Sequence, residues 1–217
     1  EYDSACVGGI VGAVRGNFKM DNCSVKGNIE GTDGIGGAVG YVYLVDSNHP
    51  DKDRGKTVEF NDVSVEADIY ASIRRAGGII GANLVYNVFN LVGQNDDNLY
   101  NQFIMTGCSF KGTVKAKVDR AGGLFSNSSA GGGGWVDSPI DLPEANPDGL
   151  VIQNNSVEGD ITSPKSAARF FSNLGVVTNV VSYGNVSSTV FNNTFTGHVY
   201  AGSPLLDVTA SFGANDN

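Results

Sequence analysis

The stretch Cys23-Ser24-Val25-Lys26-Gly27-Asn28-Ile29-Glu30-Gly31 decides the fold, because the chain writes it five times. Copies run from Val63 to Ala71, Cys108 to Ala116, Asn155 to Ser163 and Asn193 to Ala201. Val25, Val65, Phe110, Val157 and Phe195 share one column, and Ile29, Ile69, Val114, Ile161 and Val199 another. Between them stands a column of Gly or Ala, while the intervening positions are polar. Alternation with period two is the pattern of a strand with one buried face. The small column predicts close approach inside a narrow core.

A second element precedes each copy: Phe18-Lys19-Met20, Val58-Glu59-Phe60, Phe103-Ile104-Met105, Leu150-Val151-Ile152 and Ser188-Thr189-Val190. Asn22, Asp62, Gly107, Asn154 or Asn192 stands between the two elements, at a predicted sharp bend. A third element is rich in glycine. It reads Val7-Gly8-Gly9-Ile10-Val11-Gly12, Ile35-Gly36-Gly37-Ala38-Val39-Gly40, Ala76-Gly77-Gly78-Ile79-Ile80-Gly81 and Ala121-Gly122-Gly123-Leu124-Phe125-Ser126. Degraded copies begin at Ala167 and Gly202.

A unit this short cannot bury its apolar face alone, whereas stacking its copies builds a continuous core. The expected fold is all-β: a right-handed parallel β-solenoid of about five three-strand coils. It forms one domain over 1–217, with repeats at about 7–31, 35–71, 76–116, 121–163 and 167–201 and a tail at 207–217. The corner after the third strand keeps its length. All insertions fall at one other corner, Tyr41 to Thr57, Ala82 to Gln102, Asn127 to Gly149 and Asn173 to Ser187, so they should emerge along one edge.

The glycine element and the Asn22-Cys23-Ser24-Val25-Lys26-Gly27 run resemble the GLUG-motif repeat family, from Val7 to about Leu206. The resemblance implies a module of secreted or cell-surface proteins, adhesin-like, and it supplies no catalytic residues.

The loop edge is the expected binding surface for a glycan or a protein. Its candidate contacts are Tyr41, Tyr43, Tyr86, Tyr100, Trp135 and Tyr183, since exposed aromatics grip sugars and protein partners. Packing of these rings onto the solenoid flank is the structural alternative. Acidic clusters at Asp51 and Asp53, Asp96 and Asp97, and Asp141, Glu144 and Asp148 offer at most weak Ca²⁺ binding, and none completes an EF-hand pattern. Otherwise no cofactor and no metal site is expected. Asn22, Asn127, Asn154, Asn185 and Asn192 each open an N-x-Ser/Thr sequon, of use only in a glycosylating secretory pathway.

Net charge of -9 argues against a nucleic-acid partner. The sequence holds no apolar run long enough to span a membrane. Glu1-Tyr2-Asp3 does not open a signal peptide, so an exported chain would already have lost its leader. Three cysteines make no disulfide framework, and Gly131 to Gly134 lacks the Lys-Ser/Thr of a phosphate-binding loop. Cys23 and Cys108 fall in one inward column, about 10 Å apart and too far for a disulfide. Asn155 and Asn193 end that column and are placed to form an amide ladder.

The expected function is an extracellular or cell-surface structural or adhesive module without catalysis. One alternative is a self-assembling filament or sheath subunit joined through open solenoid ends. Another is a β-helical polysaccharide-degrading enzyme, which needs carboxylates gathered in one groove. Asp68 and Asp160 lie two coils apart on an outward column, at about 10 Å, beyond the separation of an inverting carboxylate pair.

Overall fold

The computed structural model describes residues 6–44, 56–85, 102–126, 150–171 and 190–202, and the strand backbone at 205–207 and 210–212. The first coil runs β1 (Val7–Gly8), β2 (Val11–Val14), β3 (Phe18–Asp21) and β4 (Ser24–Gly36). The second adds β5 (Val39–Leu44), β6 (Thr57–Asn61) and β7 (Ser64–Gly77). The third adds β8 (Ile80–Val85), β9 (Gln102–Thr106) and β10 (Ser109–Ala116). Then come β11 (Arg120–Gly122), β12 (Leu150–Gln153), β13 (Ser156–Ser163), β14 (Ser166–Ala168), β15 (Val190–Phe191), β16 (Asn193–Thr196) and β17 (His198–Ala201). Short strands β18 (Leu205–Asp207) and β19 (Ala210–Phe212) follow.

Strands stack coil upon coil into three sheets. The largest follows β1-β4-β7-β10-β13-β16-β19, a second β15-β12-β9-β6-β3 and a third β2-β5-β8. Every pairing between coils is parallel and joins the residues that the sequence columns align: Val25↔Val65, Phe110↔Val157 and Ile69↔Val114. The protein is a parallel β-solenoid.

Each coil bends where the columns predicted. Asn22, Asp62, Asn154 and Asn192 have φ between 51 and 58°, and Gly107 has 67°. Short polar side chains and glycine enter this left-handed region at least cost. The bend does not break the ladder, because the Asp62 amide donates to the Thr106 carbonyl of the next coil at 3.0 Å.

The small column has a different cause from the one expected. Gly112, Gly159 and Gly197 are half-exposed and lie outside the core. Their φ of 140 to 142° disfavours any side chain, and a β-carbon on each would strike the carbonyl of the preceding coil's Ala67, Gly112 or Gly159. The double glycine does face inward. A β-carbon on Gly78 or Gly123 would collide with the next coil's backbone and press on Phe110 or Val157.

Two boundaries also differ. β4 and β7 run through the constant corner into the glycine element, with a register shift between Gly31 and Asp33, so corner and strand are one extended segment. Leu205–Asp207 does not begin another parallel coil. β18 and β19 turn back antiparallel on β17 and β16, pairing Val199 with Leu206 and Thr194 with Ser211.

Apolar columns fill the interior, and an aromatic file runs along it. Phe60 lies 6.1 Å from Phe103, Phe103 5.8 Å from Phe125, and Phe125 stacks on Phe171 at 5.0 Å.

Candidate functional site

The loop edge arises because the third sheet ends where the second begins. In coil 1 the chain passes from Val14 to Phe18 through Arg15-Gly16-Asn17 alone. Val14 pairs with Val42 and Phe18 with Val58, so the second coil leaves and re-enters at the same corner. Val42 pairs with Asn83 and Val58 with Phe103, which repeats the arrangement in the third. The Asn17 side chain accepts from the Thr57 amide at 2.9 Å and ties the short turn to the base of the coil above.

Of the six aromatic candidates, Tyr41 and Tyr43 belong to the described residues; Tyr86, Tyr100, Trp135 and Tyr183 lie outside them. The two tyrosines are not on a loop. They belong to β5, whose Val39 and Val42 enter the main core, while Tyr41 packs with Ala82 in a separate small cluster that Tyr43 joins. Tyr41 is only 6% exposed, so its ring is not offered to a ligand. Its hydroxyl accepts from Arg75 Nη1, and the Arg75 guanidinium lies 5.0 Å from the ring centre. Tyr43 is half-buried, 6.4 Å from the Tyr41 ring, with Arg15 5.9 Å from its own ring centre. Tyr43 beside Arg15 is thus the described aromatic that reaches the foot of the loop edge.

Arg75 anchors this cluster. Its Nε donates to Asp33 Oδ1 at 2.7 Å and its Nη2 to Asp33 Oδ2, a two-pronged grip across two coils. Burial, the largest single influence, works against the Arg75 charge, but the Asp33 hydrogen bonds together with the nearby Tyr41, Asp33 and Cys6 groups raise its pKa overall. Burial also raises the neighbouring Cys6 thiol, with Arg75 acting in the opposite direction. The pattern gave one faint signal of this: an Arg74-Arg75 doublet in a corner where other copies carry none.

The outer strand columns engage one another. Lys26 pairs with Glu66 at 2.7 Å and Lys111 with Glu158 at 2.8 Å. Asp68 accepts from the Thr113 hydroxyl at 2.7 Å, and Asp160 meets His198 Nδ1 at 2.9 Å. Both carboxylates on that column are therefore held by neighbours one coil away. Among the described residues, no cluster of His, Cys, Asp or Glu is arranged to hold a metal ion. The three acidic loop clusters lie outside the described residues.

The inward column behaves as its residues suggest. Cys23 and Cys108 are not joined in a disulfide, and neither is Cys6. Asn155 and Asn193 build the amide ladder, with Asn155 Nδ2 donating to Asn193 Oδ1 at 2.8 Å and to the Met105 carbonyl at 3.1 Å. Asn155 Oδ1 accepts from the Cys108 amide at 2.8 Å, and Asn193 Nδ2 donates to the Ile152 carbonyl at 2.9 Å.

Among the sequons, Asn22, Asn154 and Asn192 sit exposed on the left-handed corner. Asn192 Nδ2, the atom a glycan would take, donates to Asn154 Oδ1 at 2.6 Å. Asn127 and Asn185 lie outside the described residues.

A parallel solenoid with one loop-bearing corner defines the class, and the family comparison adds to it. The GLUG motif matches residues 3–30, the first coil, whose columns the later coils repeat. No curated protein and no solved structure matches the chain.

Proposed function

We propose that this chain is an extracellular or cell-surface structural module that binds a glycan or protein partner through its loop edge, without catalysis. The observation that carries the reading is the stacked exit and re-entry of successive coils at one corner. Segments of different length and composition leave from neighbouring positions on a rigid support, the usual division between scaffold and binding loops. The GLUG motif of the first coil supports a repeat module. The strand faces support a scaffold role, since their charged and polar side chains are spent on one another.

Coil 1 provides the tool for a test. Replacing residues 43–57 and 84–102 by Arg-Gly-Asn gives coils 2 and 3 its short turn. The pruned chain should keep its strand circular dichroism and cooperative melting. On a glycan array and on immobilised extracellular-matrix proteins, the full chain should bind and the pruned chain bind at least about tenfold more weakly, the loss of one good contact. Equal binding by the pruned chain would refute binding through the insertions of coils 2 and 3. Shortening of an acidic polysaccharide by the full chain would refute the non-catalytic reading.

A further inference from the structure

The charge pairing seen on the strand faces stops at the corner that keeps its length. Residues 70–76, 115–121 and 162–167 hold six of the chain's 14 Lys and Arg against one of its 23 Asp and Glu, so this corner is cationic on a chain of net charge -9. Arg75 is committed to Asp33, and Asp119 lies 3.7 Å from Arg120. Arg74 shares Asp33 at 3.6 Å and is still exposed. Lys115, Lys117 and Lys165 are exposed too and, among the described residues, form no ion pair. On the faces of the same strands Lys26, Glu66, Lys111 and Glu158 alternate in sign and pair at 2.7 and 2.8 Å. Lys115 instead stands between Tyr70 and Thr162 of the neighbouring coils.

Bare apolar side chains share this ridge. Ile73 is 47% exposed and Val118 41%. The Val118 amide donates to the Ile73 carbonyl at 3.0 Å, so the two follow one another from coil to coil. The half-buried Tyr70 lies beside Lys115. The surface is in the middle of the stack: β4 pairs with β7 on one side, and β13 and β14 pair with β10 and β11 on the other. The insertions leave at a different corner. Neighbouring charges of one sign repel, and exposed apolar groups give the fold nothing, so the reason for this combination lies outside the fold.

We propose that the constant corner of coils 2 to 4 is a second binding surface, which takes a linear acidic polysaccharide. Charge selects a polyanion. The rest of the chain is acidic, so its field turns such a polymer toward the one cationic ridge. The apolar line then selects among polyanions. A sugar ring lays its C–H face on Ile73 and Val118 while its acid groups reach the cations around them. A uronate or sulfated polymer repeats its acid along a line, as the ridge repeats its cations at the coil spacing of about 4.8 Å. A single-stranded nucleic acid asks for exposed rings on which bases stack, and Tyr70, half-buried, is the one ring of these segments. The inference rests on other residues than the loop edge and stands or falls separately.

Titration calorimetry of the full chain with polygalacturonate, dextran sulfate and neutral dextran at about 50 mM salt tests it, with carboxylate and sulfate as separate arms. The wild-type chain should bind one or both acidic polymers and not dextran, and binding should weaken as salt rises to about 200 mM. Lys115→Gln with Lys117→Gln should weaken it at least about tenfold. Lys26→Gln with Lys111→Gln makes the same change in net charge at paired lysines and should weaken it less than about threefold. Ile73→Ser with Val118→Ser leaves the charge alone and should weaken it at least about threefold. All six side chains are exposed, and circular dichroism should show each variant folded. The chain with pruned insertions should bind these polymers as the full chain does. A wild-type chain that binds neither acidic polymer overturns the proposal. So does equal loss in the two lysine pairs, loss of binding on pruning, or binding indifferent to the Ile73 and Val118 change, which would leave a polyanion held by charge alone.

Discussion

At the residue scale, the inward column that starts the largest sheet carries Cys23, Val63, Cys108, Asn155 and Asn193 in turn. A buried side chain there faces a bend, where strand hydrogen bonding changes direction and main-chain groups lack ladder partners. Asn155 serves two of them, the Cys108 amide and the Met105 carbonyl. Asn155→Ala leaves both buried and unpaired, while Asn193 Oδ1 keeps the main-chain amide of residue 155 at 3.1 Å, and should cost about 3 kcal/mol in urea unfolding. One coil away, Cys108 solves the same site as a small apolar residue. Burial is the main reason its thiol is pushed up to about 11, from an ordinary value of 9.0. A raised folded-state value adds stability that is complete below the unfolded pKa and lost as pH climbs through the folded one. Stability should therefore fall between about pH 9 and 11 by about 2 kcal/mol, and Cys108→Val, which copies Val63, should abolish that part of the decline. Equal high-pH slopes in the two proteins would contradict it.

At the element scale, β18 and β19 cover the outer side of β17 and β16, which would otherwise be an unpaired sheet edge. A chain ending at Gly202 exposes β16 and β17. It should form larger species by light scattering at concentrations where the full chain does not. An unchanged mass would show that these strands do not guard the edge. This closure was not legible in the sequence, because Leu205-Leu206 fits an apolar column in either strand direction. The parallel coils were legible, because a pattern of side chains repeated five times fixes register without knowledge of any contact. The corners were legible too, since Asn, Asp and Gly are the residues that enter the left-handed region cheaply. The small column was read correctly as a column but for the wrong reason. Gly112, Gly159 and Gly197 answer a φ near 140° and a carbonyl in front of each, and composition alone cannot separate that from a narrow core. Tyr41 was misjudged likewise. A tyrosine beside an insertion looks exposed until Arg75, from the far end of the same coil, is seen to close over it.

At the scale of the whole molecule, the stabilising contacts described lie within one coil, as between Arg75 and Tyr41, or between neighbouring coils, as between Asn155 and Met105. Stability is then close to a sum of coil terms and nearest-neighbour terms. The left-handed bend is the part of each coil that binds this arrangement together. Asn22, Asp62, Gly107, Asn154 and Asn192 place the bend at the same phase of every coil, whatever length of chain intervenes. In hereditary terms, a bend fixed by single residues makes the coil a transferable cassette. Unequal recombination between two such bends would delete or duplicate a whole coil, with its insertion, and leave both ends of the protein intact.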